Sequence, residues 1–451
     1  RIPPEYLTEV HKFFKDKGAD EKIFPEIDKN LDLHGIRAEH ARKEYERYAR
    51  ICSTQEGRAE LRRQLWRRFT DPVIGNKAWL TAKKQGNFSI PILSSVSGIV
   101  IGFEEKYYLN GKKVKCIVIQ DDFKELMEEK NSLVGNIAQI KKEKFIEILK
   151  NNAIVGMGGA NFPTYIKYST EKRIKTLIIN AVECEPYITA DYILIINYAE
   201  QLLECINAIL KINGIDEAYI AIKKSNTKLI DAFNKFIGTY PNIKIYETLN
   251  IYPMGWEKNV VESVLNKTYD KLPIEIGVVV NNVSTIYAIY ESIKYNKPLT
   301  SRIVTFTGEG FESAKNIGVK IGTSVKEVIE KNLKYKNTSE LLFIAGGPMM
   351  GNSIPSDDII VTPNLNCILV IPKNKELESI NCLRCGLCMK YCPAKLTPVL
   401  IKDNLNNSDK LKSYQVNRCI ECGLCSFVCP SKINVRDYVR RAKEIIREEQ
   451  K

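Results

Sequence analysis

The chain has 451 residues, of which 44% are hydrophobic and 27% charged, with a net charge of +13. This length is enough for about three domains and excludes a mini-protein stapled by its cysteines. The composition excludes a wholly disordered chain, and no uninterrupted apolar run reaches the roughly 18 to 20 residues of a membrane span, which excludes a transmembrane protein.

The first 70 residues differ in composition from the rest of the chain. They hold all three histidines and ten of the eighteen arginines. The prolines at Pro3 and Pro4, a stop at Gly18 and a capping box from Ser53 to Glu56 predict a helical segment over 1–70. No function is assigned to it. The first residues lack the layout of a secretory signal, so we expect a cytoplasmic protein.

Strand signals dominate residues 71–122. Apolar runs begin at Phe88, and the pair Asn110-Gly111 predicts a hairpin between two of them. We therefore expect a small β-rich domain that ends near residue 122, followed by a charged helical connector over 123–151.

Strands and helices alternate in the next part of the chain. We predict strands over 176–182, 218–222, 243–247 and 274–280, with helices over 190–211 and 227–236. This alternation indicates an α/β domain over 123–300. A smaller domain over 301–375 has a strand from Ile303 and a helix over 325–332, and residues 376–451 form a cysteine-rich domain.

Eight of the thirteen cysteines lie within 48 residues, in two runs with the same spacing. Each run reads C-x2-C-x2-C-x3-C-P, the spacing of bacterial two-cluster ferredoxins. We expect the first three cysteines of a run to lie on a tight loop, and the fourth, at the start of a helix, to ligate the other cluster. One 4Fe-4S cluster would then be held by Cys382, Cys385, Cys388 and Cys429, and the second by Cys419, Cys422, Cys425 and Cys392. A pair of zinc sites is the alternative, disfavoured because zinc sites prefer two separated pairs of cysteines.

Other features of the composition leave more readings open. Cys52, Cys116, Cys205 and Cys367 lie in apolar or helical surroundings and are expected to be core thiols. Over residues 380–451 the basic side chains exceed the acidic ones by seven. This charge suits an acidic protein partner or an anionic membrane surface as well as phosphate. Nucleic-acid binding is not expected, because basic and aromatic residues do not interleave.

A glycine-rich loop lies between a predicted helix and a predicted strand, where bare backbone amides can approach a phosphate or a flat ring. Its glycines are Gly156, Gly158 and Gly159. It is not the dinucleotide fingerprint, because Asn161 replaces the third glycine and the loop does not follow a strand and open a helix. A plain structural turn, without a ligand, remains the alternative interpretation of this loop.

Polar residues stand where two of the predicted strands end, and the carboxyl ends of strands in open α/β sheets form ligand sites. These residues are Asn180, Glu183 and Glu185 after one strand, and Asn281, Asn282 and Thr285 after a later one.

From residue 87 to 449 the chain resembles the C subunit of the Rnf complex, the ion-translocating ferredoxin:NAD oxidoreductase of bacterial membranes. The middle part is also similar to the flavin subunit of respiratory complex I, which binds FMN and takes hydride from NADH. The segments that carry the resemblance are residues 94–98, 156–163, 180–187, 252–258, 281–285, 346–351 and the two cysteine runs.

The resemblance implies an FMN site with a nicotinamide site beside it. It places Gly156, Gly158, Gly159 and Lys167 around FMN, with Asn180 and Glu183 on the following strand and Asn281, Asn282 and Thr285 at the phosphate. Glu185 and Glu257 would lie where the nicotinamide stacks, and Cys184 would line the pocket without being a ligand. The resemblance also implies that 71–122 is a barrel-sandwich hybrid domain, 301–375 a β-grasp domain of the soluble-ligand-binding (SLBB) type, and 376–451 an α-helical two-cluster ferredoxin domain.

The implied function is that of an NADH-linked oxidoreductase subunit. It would exchange electrons with NADH at FMN and relay them singly through two 4Fe-4S clusters to or from a ferredoxin-like subunit of a membrane complex that moves ions. The chain would be peripheral on the cytoplasmic face of the cell membrane. Two other readings stay open: a soluble electron-transfer protein that serves an amino-acid reductase such as proline reductase, and a non-catalytic ligand-binding scaffold with structural clusters.

One segment and one residue depart from the family pattern. Residues 1–70 replace a segment rich in Gly, His and Pro that usually completes the sandwich domain, so that domain could be incomplete. Trp256 is bulky where small or acidic residues are common, and we expect it to narrow the approach of the nicotinamide.

Overall fold

The computed structural model describes residues 72–73, 78–85, 88–124, 136–336, 340–373 and 378–449, and before residue 90 it describes the backbone alone. The helices predicted over 1–70, and Cys52 with them, lie outside the described residues.

The first described region consists of antiparallel strands. β4 pairs with β1 on one side and with β5 on the other, and β2 pairs with β3. The predicted hairpin joins β4 to β5 through a turn in which Gly111 has a positive φ of 74°. The strands are β1 (Pro72–Val73), β2 (Ala78–Gln85), β3 (Phe88–Leu93), β4 (Gly98–Tyr107) and β5 (Lys113–Asp121).

The predicted connector is not α-helical throughout its described part. In the described part of 123–151, only α1 (Lys142–Asn151) is α-helical, and it follows a single 3-10 turn at Ile137–Gln139. The side chain of Asn136 accepts a hydrogen bond from the Ala138 amide and begins that turn. Residues 125–135 lie outside the described part of the chain.

The α/β domain is built on four parallel strands in the order β8-β7-β6-β9. The chain runs outward from β6 through β7 to β8 and then returns to the other side of β6 to form β9. The direction in which the chain adds strands therefore reverses between β6 and β9. This reversal is the topological switch point at which open α/β sheets bind ligands. The elements are α2 (Thr164–Tyr168), β6 (Thr176–Asn180), α3 (Ala190–Asn213), β7 (Glu217–Lys223), α4 (Thr227–Asn234), β8 (Ile243–Thr248), α5 (Glu257–Leu265), β9 (Val278–Asn282) and α6 (Val283–Tyr295).

Apolar layers cover both faces of this sheet. α3 and α6 bury their side chains in the main core on one face, and α5 packs Val260 and Val261 against the other. α3 is long and apolar enough by composition to cross a bilayer. It contributes residues such as Leu202, Leu203 and Ile206 to the core, all fully buried, so its composition is that of a central helix.

Two local predictions in this domain were wrong. The strand predicted over 274–280 begins only at Val278, because Pro273 starts a 3-10 helix (Pro273–Ile276) that Gly277 ends with a φ of 73°. The glycine-rich loop leads into α2, not directly into a strand. Its neighbour Pro163 precedes the first helical residue, Thr164.

A second, mixed sheet follows in the order β11-β10-β14-β12-β13, in which β10 and β14 are parallel and the other pairs antiparallel. Its helix α7 has the predicted bounds. The elements are β10 (Ser301–Thr307), β11 (Lys315–Lys320), α7 (Val325–Asn332), β12 (Leu341–Ala345), β13 (Asn352–Ile354) and β14 (Cys367–Pro372).

The described C-terminal part is helical and has a small core of its own. Its helices are α8 (Leu387–Lys390), α9 (Pro398–Asp403), α10 (Ser408–Ser413), α11 (Leu424–Phe427) and α12 (Val435–Glu449). α12 supplies Val439, Ala442 and Ile446 to that core. An α/β protein of several units with a helical cysteine-rich end was expected and is confirmed.

Candidate functional site

The switch point of the parallel sheet brings two asparagines side by side. Asn180 ends β6, Asn282 ends β9, and the two residues are register partners. Both strands are parallel, so their carboxyl ends open on one edge of the sheet.

The glycine-rich loop lies over this edge. A Cβ atom on Gly158 would stand 3.2 Å from the Cβ of Asn282, so the loop backbone approaches the end of β9 closely. The Met157 amide donates to Thr285 Oγ1 at 2.9 Å, which ties the loop to the first turn of α6. Gly158 and Gly159 are exposed. Bare backbone and the N-terminus of α6 therefore meet at one place, an arrangement that suits a phosphate.

Buried polar atoms around the loop lack partners. Asn161 Oδ1, Thr164 Oγ1 and Asn281 Oδ1 are buried without a hydrogen bond among the described residues. The Asn281 side-chain amide donates to the Tyr168 hydroxyl, so only its oxygen is left over. Lone buried acceptors and hydroxyls are costly unless a ligand or water satisfies them. The residues present fit a polar, flat cofactor such as FMN.

Lys167 lies behind the same edge. Its Nζ donates to the Val280 carbonyl at 2.6 Å. Burial lowers the pKa of Lys167, and the negative charge of Glu257 opposes that shift. Asn180 donates through Nδ2 to the Gly255 carbonyl at 2.8 Å, which holds the start of α5 and Glu257 near the end of β6. Glu257 itself accepts a hydrogen bond from the Tyr269 hydroxyl at 2.9 Å.

Glu183 holds the N-terminus of α3. Its two carboxylate oxygens accept from the amides of Asp191 and Tyr192 at 3.0 and 3.2 Å. Burial, and then the nearby charge of Asp191, raise the pKa of Glu183 to about 8. Asp191 in turn accepts hydrogen bonds from Asn282 and Ser284, so Glu183 and Asn282 belong to one network.

Glu185 is bound by a loop of the second sheet. Its Oε1 accepts from the amides of Met349 and Met350 at 2.7 and 2.8 Å. A Cβ on Gly347 would stand only 1.9 Å from Glu185 Cγ, so the loop of residues 346–351 closes tightly on this side chain. Burial raises the pKa of Glu185, and the two amides oppose that shift. The structure thus places Glu185 at a contact between the two sheets.

The same loop reaches the cysteine-rich part. The Met349 carbonyl accepts from Arg436 Nη1 at 2.8 Å, and a Cβ on Gly423 would meet that carbonyl oxygen at 2.7 Å. From the α/β domain, the Tyr252 hydroxyl donates to the Cys422 carbonyl at 2.7 Å. Three parts of the chain therefore meet around Glu185, Tyr252 and Met349.

Trp256 packs between two parts of the chain. It is half-buried and lies against the core of the cysteine-rich part, whose buried members include Leu396, Leu411 and Val439. The ring therefore packs α5 against the helical domain, and its effect on the approach of the nicotinamide stays a prediction.

Four thiols of the two cysteine runs line one pocket. They are Cys419, Cys422 and Cys425 of the second run and Cys392 of the first. This is the crossed set that the spacing predicts for one cluster. Backbone amides approach the sulfurs: Glu421 N donates to Cys419 Sγ at 3.3 Å and Leu396 N to Cys392 Sγ at 3.4 Å. Amide donors stabilise negative charge on sulfur, so the residues fit a thiolate-bound iron–sulfur cluster.

The thiols are close enough to affect one another; Cys422 is buried and the other three are half-buried. Burial raises the pKa of Cys422 to about 11, and the charges of Cys419 and Cys392 act in the same direction. Deprotonation of such a set needs a compensating cationic centre. Among the described residues, no three His, Cys, Asp or Glu side chains are close enough to hold a single metal ion.

The other cysteine set is more open. Cys385 is exposed, and the pKa of Cys388 is raised by burial and then by the charges of Cys382 and Cys385. Ile380 N donates to the Ser431 carbonyl at 3.1 Å, which brings the chain just before Cys382 to the chain just after Cys429. This proximity supports the predicted grouping of Cys429 with the first run.

The fourth cysteine of each run was misplaced by the sequence analysis. Cys392 and Cys429 follow the short helices α8 and α11, and the next helices begin only at Pro398 and Val435. The two runs nevertheless repeat one backbone conformation. Left-handed residues recur 37 positions apart, at Arg384 and Glu421, at Gly386 and Gly423, and at Lys395 and Lys432.

The remaining described cysteines are not in either set. Cys205 and Cys367 are buried in apolar cores, and Cys116 is half-buried on β5. Cys184 is half-buried beside Gly255, where a Cβ on the glycine would stand 2.9 Å from its sulfur.

Sequence reasoning missed the contacts of Tyr252 and Lys443 with the second cysteine run, and the contact of Arg436 with Met349. Tyr252 and Arg436 act across distances of 170 and 87 residues, for which one sequence holds no signal. Lys443 did leave a signal, since it falls on the apolar stripe of a strongly amphipathic helix.

Comparisons with known proteins agree on both regions. Residues 149–291 match the family model described as the Nuo51 FMN-binding domain, and residues 381–433 match the model described as a 4Fe-4S dicluster domain.

Three curated relatives cover most of the chain, and each is the C subunit of a redox complex. That of the Na+-translocating ferredoxin:NAD+ oxidoreductase complex of Acetobacterium woodii is 33% identical, over 73% of this chain and 76% of that protein. That of the proton-translocating ferredoxin:NAD+ oxidoreductase complex of Clostridium ljungdahlii is 32% identical, over 74% of this chain and 75% of that protein. That of an ion-translocating oxidoreductase complex of Rhodobacter capsulatus is 32% identical, over 74% of this chain and 66% of that protein.

Proposed function

This chain belongs to the family of C subunits of the ion-translocating ferredoxin:NAD+ oxidoreductase (Rnf) complexes, and on that premise we propose that it exchanges electrons with NADH at FMN and relays them through two 4Fe-4S clusters. Other subunits of a membrane redox complex are its partners, above all an iron–sulfur protein that receives or supplies the electrons. The chain lies at the cytoplasmic face of the membrane.

FMN, when bound, accepts hydride from NADH and exchanges electrons one at a time. The exposed backbone of Gly158 and Gly159 would face the cofactor, and Asn281, Asn282 and Thr285 would lie near its phosphate. The N-terminus of α6, where the Asn282 side chain accepts a hydrogen bond from the Ser284 amide, favours a negatively charged group at this edge through the helix dipole. The three lone buried polar atoms beside the loop support the assignment.

The nicotinamide side falls to Glu257 and Glu185, with Lys167 next to them on the FMN side. Lys167 and Glu257 interact electrostatically behind the glycine loop, and Asn180 fixes the chain before Glu257 through the Gly255 carbonyl. Glu185 orients this region from the contact with residues 346–351, where both of its donors are backbone amides. No side chain would need to act as a general base, since NADH gives up a hydride and not a proton.

The two cysteine sets have different positions along the path. The set with Cys422 lies against the α/β domain through Tyr252, and the set with Cys385 is open to solvent. We assign the first set to the flavin side and the second to the partner. Large apolar side chains near the open set are exposed, among them Leu383 at 61% and Met389 at 51%. An apolar patch in a basic domain suits an acidic partner with an apolar contact of its own.

One observation carries the proposal. The Tyr252 hydroxyl donates to the carbonyl of Cys422 at 2.7 Å, and so joins the domain that matches an FMN-binding family directly to the cavity lined by four thiols. A scaffold with structural clusters has no need of this contact, whereas an electron path between two cofactors does.

The test is anaerobic absorbance and EPR spectroscopy on the full chain, reconstituted with iron, sulfide and FMN, before and after addition of NADH. We expect flavin bleaching together with reduced 4Fe-4S signals, and about eight irons per chain. Cofactors that stay oxidised with NADH but respond to dithionite would overturn NADH as the donor and favour a relay fed by another protein. A matched sample without FMN controls for direct reduction of the clusters.

A further inference from the structure

Lys443 is a charged residue on the buried side of α12. It is 8% exposed and shares that side with Val439, Ala442 and Ile446. A buried ammonium group is costly unless it is paired and hydrogen-bonded. Its contacts therefore show what the chain gains by keeping it there.

Both contacts of the ammonium group lead to the cavity lined by Cys392, Cys419, Cys422 and Cys425. Lys443 Nζ donates to the Cys419 carbonyl at 3.0 Å and to Glu421 Oε1 at 2.5 Å. Glu421 lines the cavity, and its own amide donates to Cys419 Sγ. The second carboxylate oxygen of Glu421 accepts from Arg440 Nε at 3.1 Å. Two cations thus surround one carboxylate beside a cluster ligand.

The charge balance at this point is positive. Lys443 and Arg440 carry two positive charges against the single negative charge of Glu421, and the ammonium is the most buried of the three groups. Salt screens a buried charge less than an exposed one. One-electron reduction of a thiolate-bound 4Fe-4S cluster adds one negative charge and breaks no bond, so a fixed positive charge nearby stabilises the reduced form.

We propose that Lys443 raises the reduction potential of the cluster held by Cys392, Cys419, Cys422 and Cys425. It does so as a positioning residue that holds a positive charge against the Cys419 carbonyl, and it ligates no iron. The inference rests on the proposed cluster assignment, but not on FMN or NADH.

The first cysteine run carries a different set of charges. The position equivalent to Glu421 is Arg384, which pairs with Asp403 and has a side chain that is 64% exposed. A second cation, Lys402, also pairs with Asp403. Both hydrogen bonds of Lys443 are made with residues of the second run, so its effect falls on the cluster of that run.

The test is an EPR-monitored redox titration of the reconstituted full chain, with dithionite as reductant, in Lys443→Met and Lys443→Arg. In Lys443→Met we expect the ratio of reduced to oxidised cluster at a fixed potential to fall about tenfold for one of the two clusters, a shift of about 59 mV for a one-electron couple. Lys443→Arg keeps the charge and restores most of the potential. Lys412→Met is the matched control, because this lysine of the same domain is half exposed and pairs with Glu449.

A second variant keeps the proposal testable if Lys443→Met loses its cluster. Glu421→Gln removes the negative charge and leaves Lys443 in place, so we expect the potential of the same cluster to rise. Unshifted potentials in both variants, or equal shifts of the two clusters, overturn the proposal. Iron content separates this failure from failure of the proposed function: eight irons with unshifted potentials contradict only the role of Lys443, whereas a chain that binds no clusters contradicts the assignment itself.

Discussion

Glu185 shows how backbone amides can hold a single side chain. One of its oxygens accepts two amide hydrogen bonds from Met349 and Met350, and the absence of a side chain at Gly347 leaves it room. Hydrogen bonds to a charged group are worth more than neutral ones, and their loss inside the protein leaves unpaired donors.

Gly347→Ala should therefore destabilise the contact. The added Cβ would stand 1.9 Å from Glu185 Cγ, which forces the carboxylate away from both amides. We expect a loss of about 1–3 kcal/mol of unfolding free energy and weaker NADH-dependent reduction. Anaerobic urea unfolding followed by tryptophan fluorescence measures the first effect.

Gly318→Ala is the matched control. Gly318 lies on β11 of the second sheet, and no atom lies within 4 Å of the Cβ that the substitution adds. Its unfolding midpoint should stay near that of the parent chain. Equal loss in both variants would mean that glycine flexibility, and not the space for Glu185, matters.

At this scale the sequence predicted which residues meet but not how they are used. The glycine loop, Asn282 and Thr285 were placed at one edge because strand ends and bare backbone leave a local pattern. Glu183 and Glu185 were predicted near the carboxyl end of a strand and follow β6, but their partners at the N-terminus of α3 and in residues 346–351 were not predicted. Those partners depend on how separate sheets pack, which no local pattern encodes.

Among the elements, the segment that leads into α5 links the α/β domain to the helical C-terminal domain. Tyr252 reaches the Cys422 carbonyl, and Trp256 packs on the core that contains Leu396 and Val439. Half of the aromatic ring's surface removed from water at such a contact contributes on the order of 2 kcal/mol.

Trp256→Ala should loosen the helical domain and leave the parallel sheet intact. We expect faster amide exchange in α9 and α12, measured by hydrogen–deuterium exchange with mass spectrometry, and unchanged exchange in β6 and β9. Trp256→Phe keeps much of the packing, so its amide exchange in α9 and α12 should lie between that of the parent chain and that of Trp256→Ala. Unchanged exchange with faster reduction by NADH would instead support the idea that the ring restricts the nicotinamide.

The prediction of helices and strands was correct where the periodicity of apolar residues and the turn or capping residues at the ends agreed. The hairpin at Asn110-Gly111 and helix α7 were placed correctly because turn residues or a capping position marked their ends. The strand predicted from residue 274 failed because Pro273 and Gly277 impose a 3-10 helix on an apolar run. The fourth cysteines were misplaced because metal-site spacing sets distances between ligands, not the start of the next helix.

For the whole molecule, the domains differ in what holds them together. The parallel sheet has a large apolar core on one face and a second on the other. The helical domain has few buried apolar residues, and two of its helices are only four residues long. Below a certain core size a domain depends on metal or disulfide bridges.

Removal of iron and sulfide by an anaerobic chelator should therefore unfold only one part of the protein. We expect amide protection in α8 to α12 to fall at least about tenfold, while the α/β domain keeps its protection and its ability to bind FMN. Hydrogen exchange before and after chelation measures both. A uniform loss across the chain would contradict independent stability of the α/β domain.

The return of the chain from β8 to β9 also sets a timetable for biosynthesis. The Met157 amide must wait 128 residues for its partner Thr285, which at about 5–20 residues per second is roughly 6–26 s of translation. After Tyr252 is made, another 170 residues must be added before its partner Cys422 exists. A nascent chain can therefore complete this edge of the parallel sheet while the cysteine runs are still unmade, and we expect FMN to bind before iron.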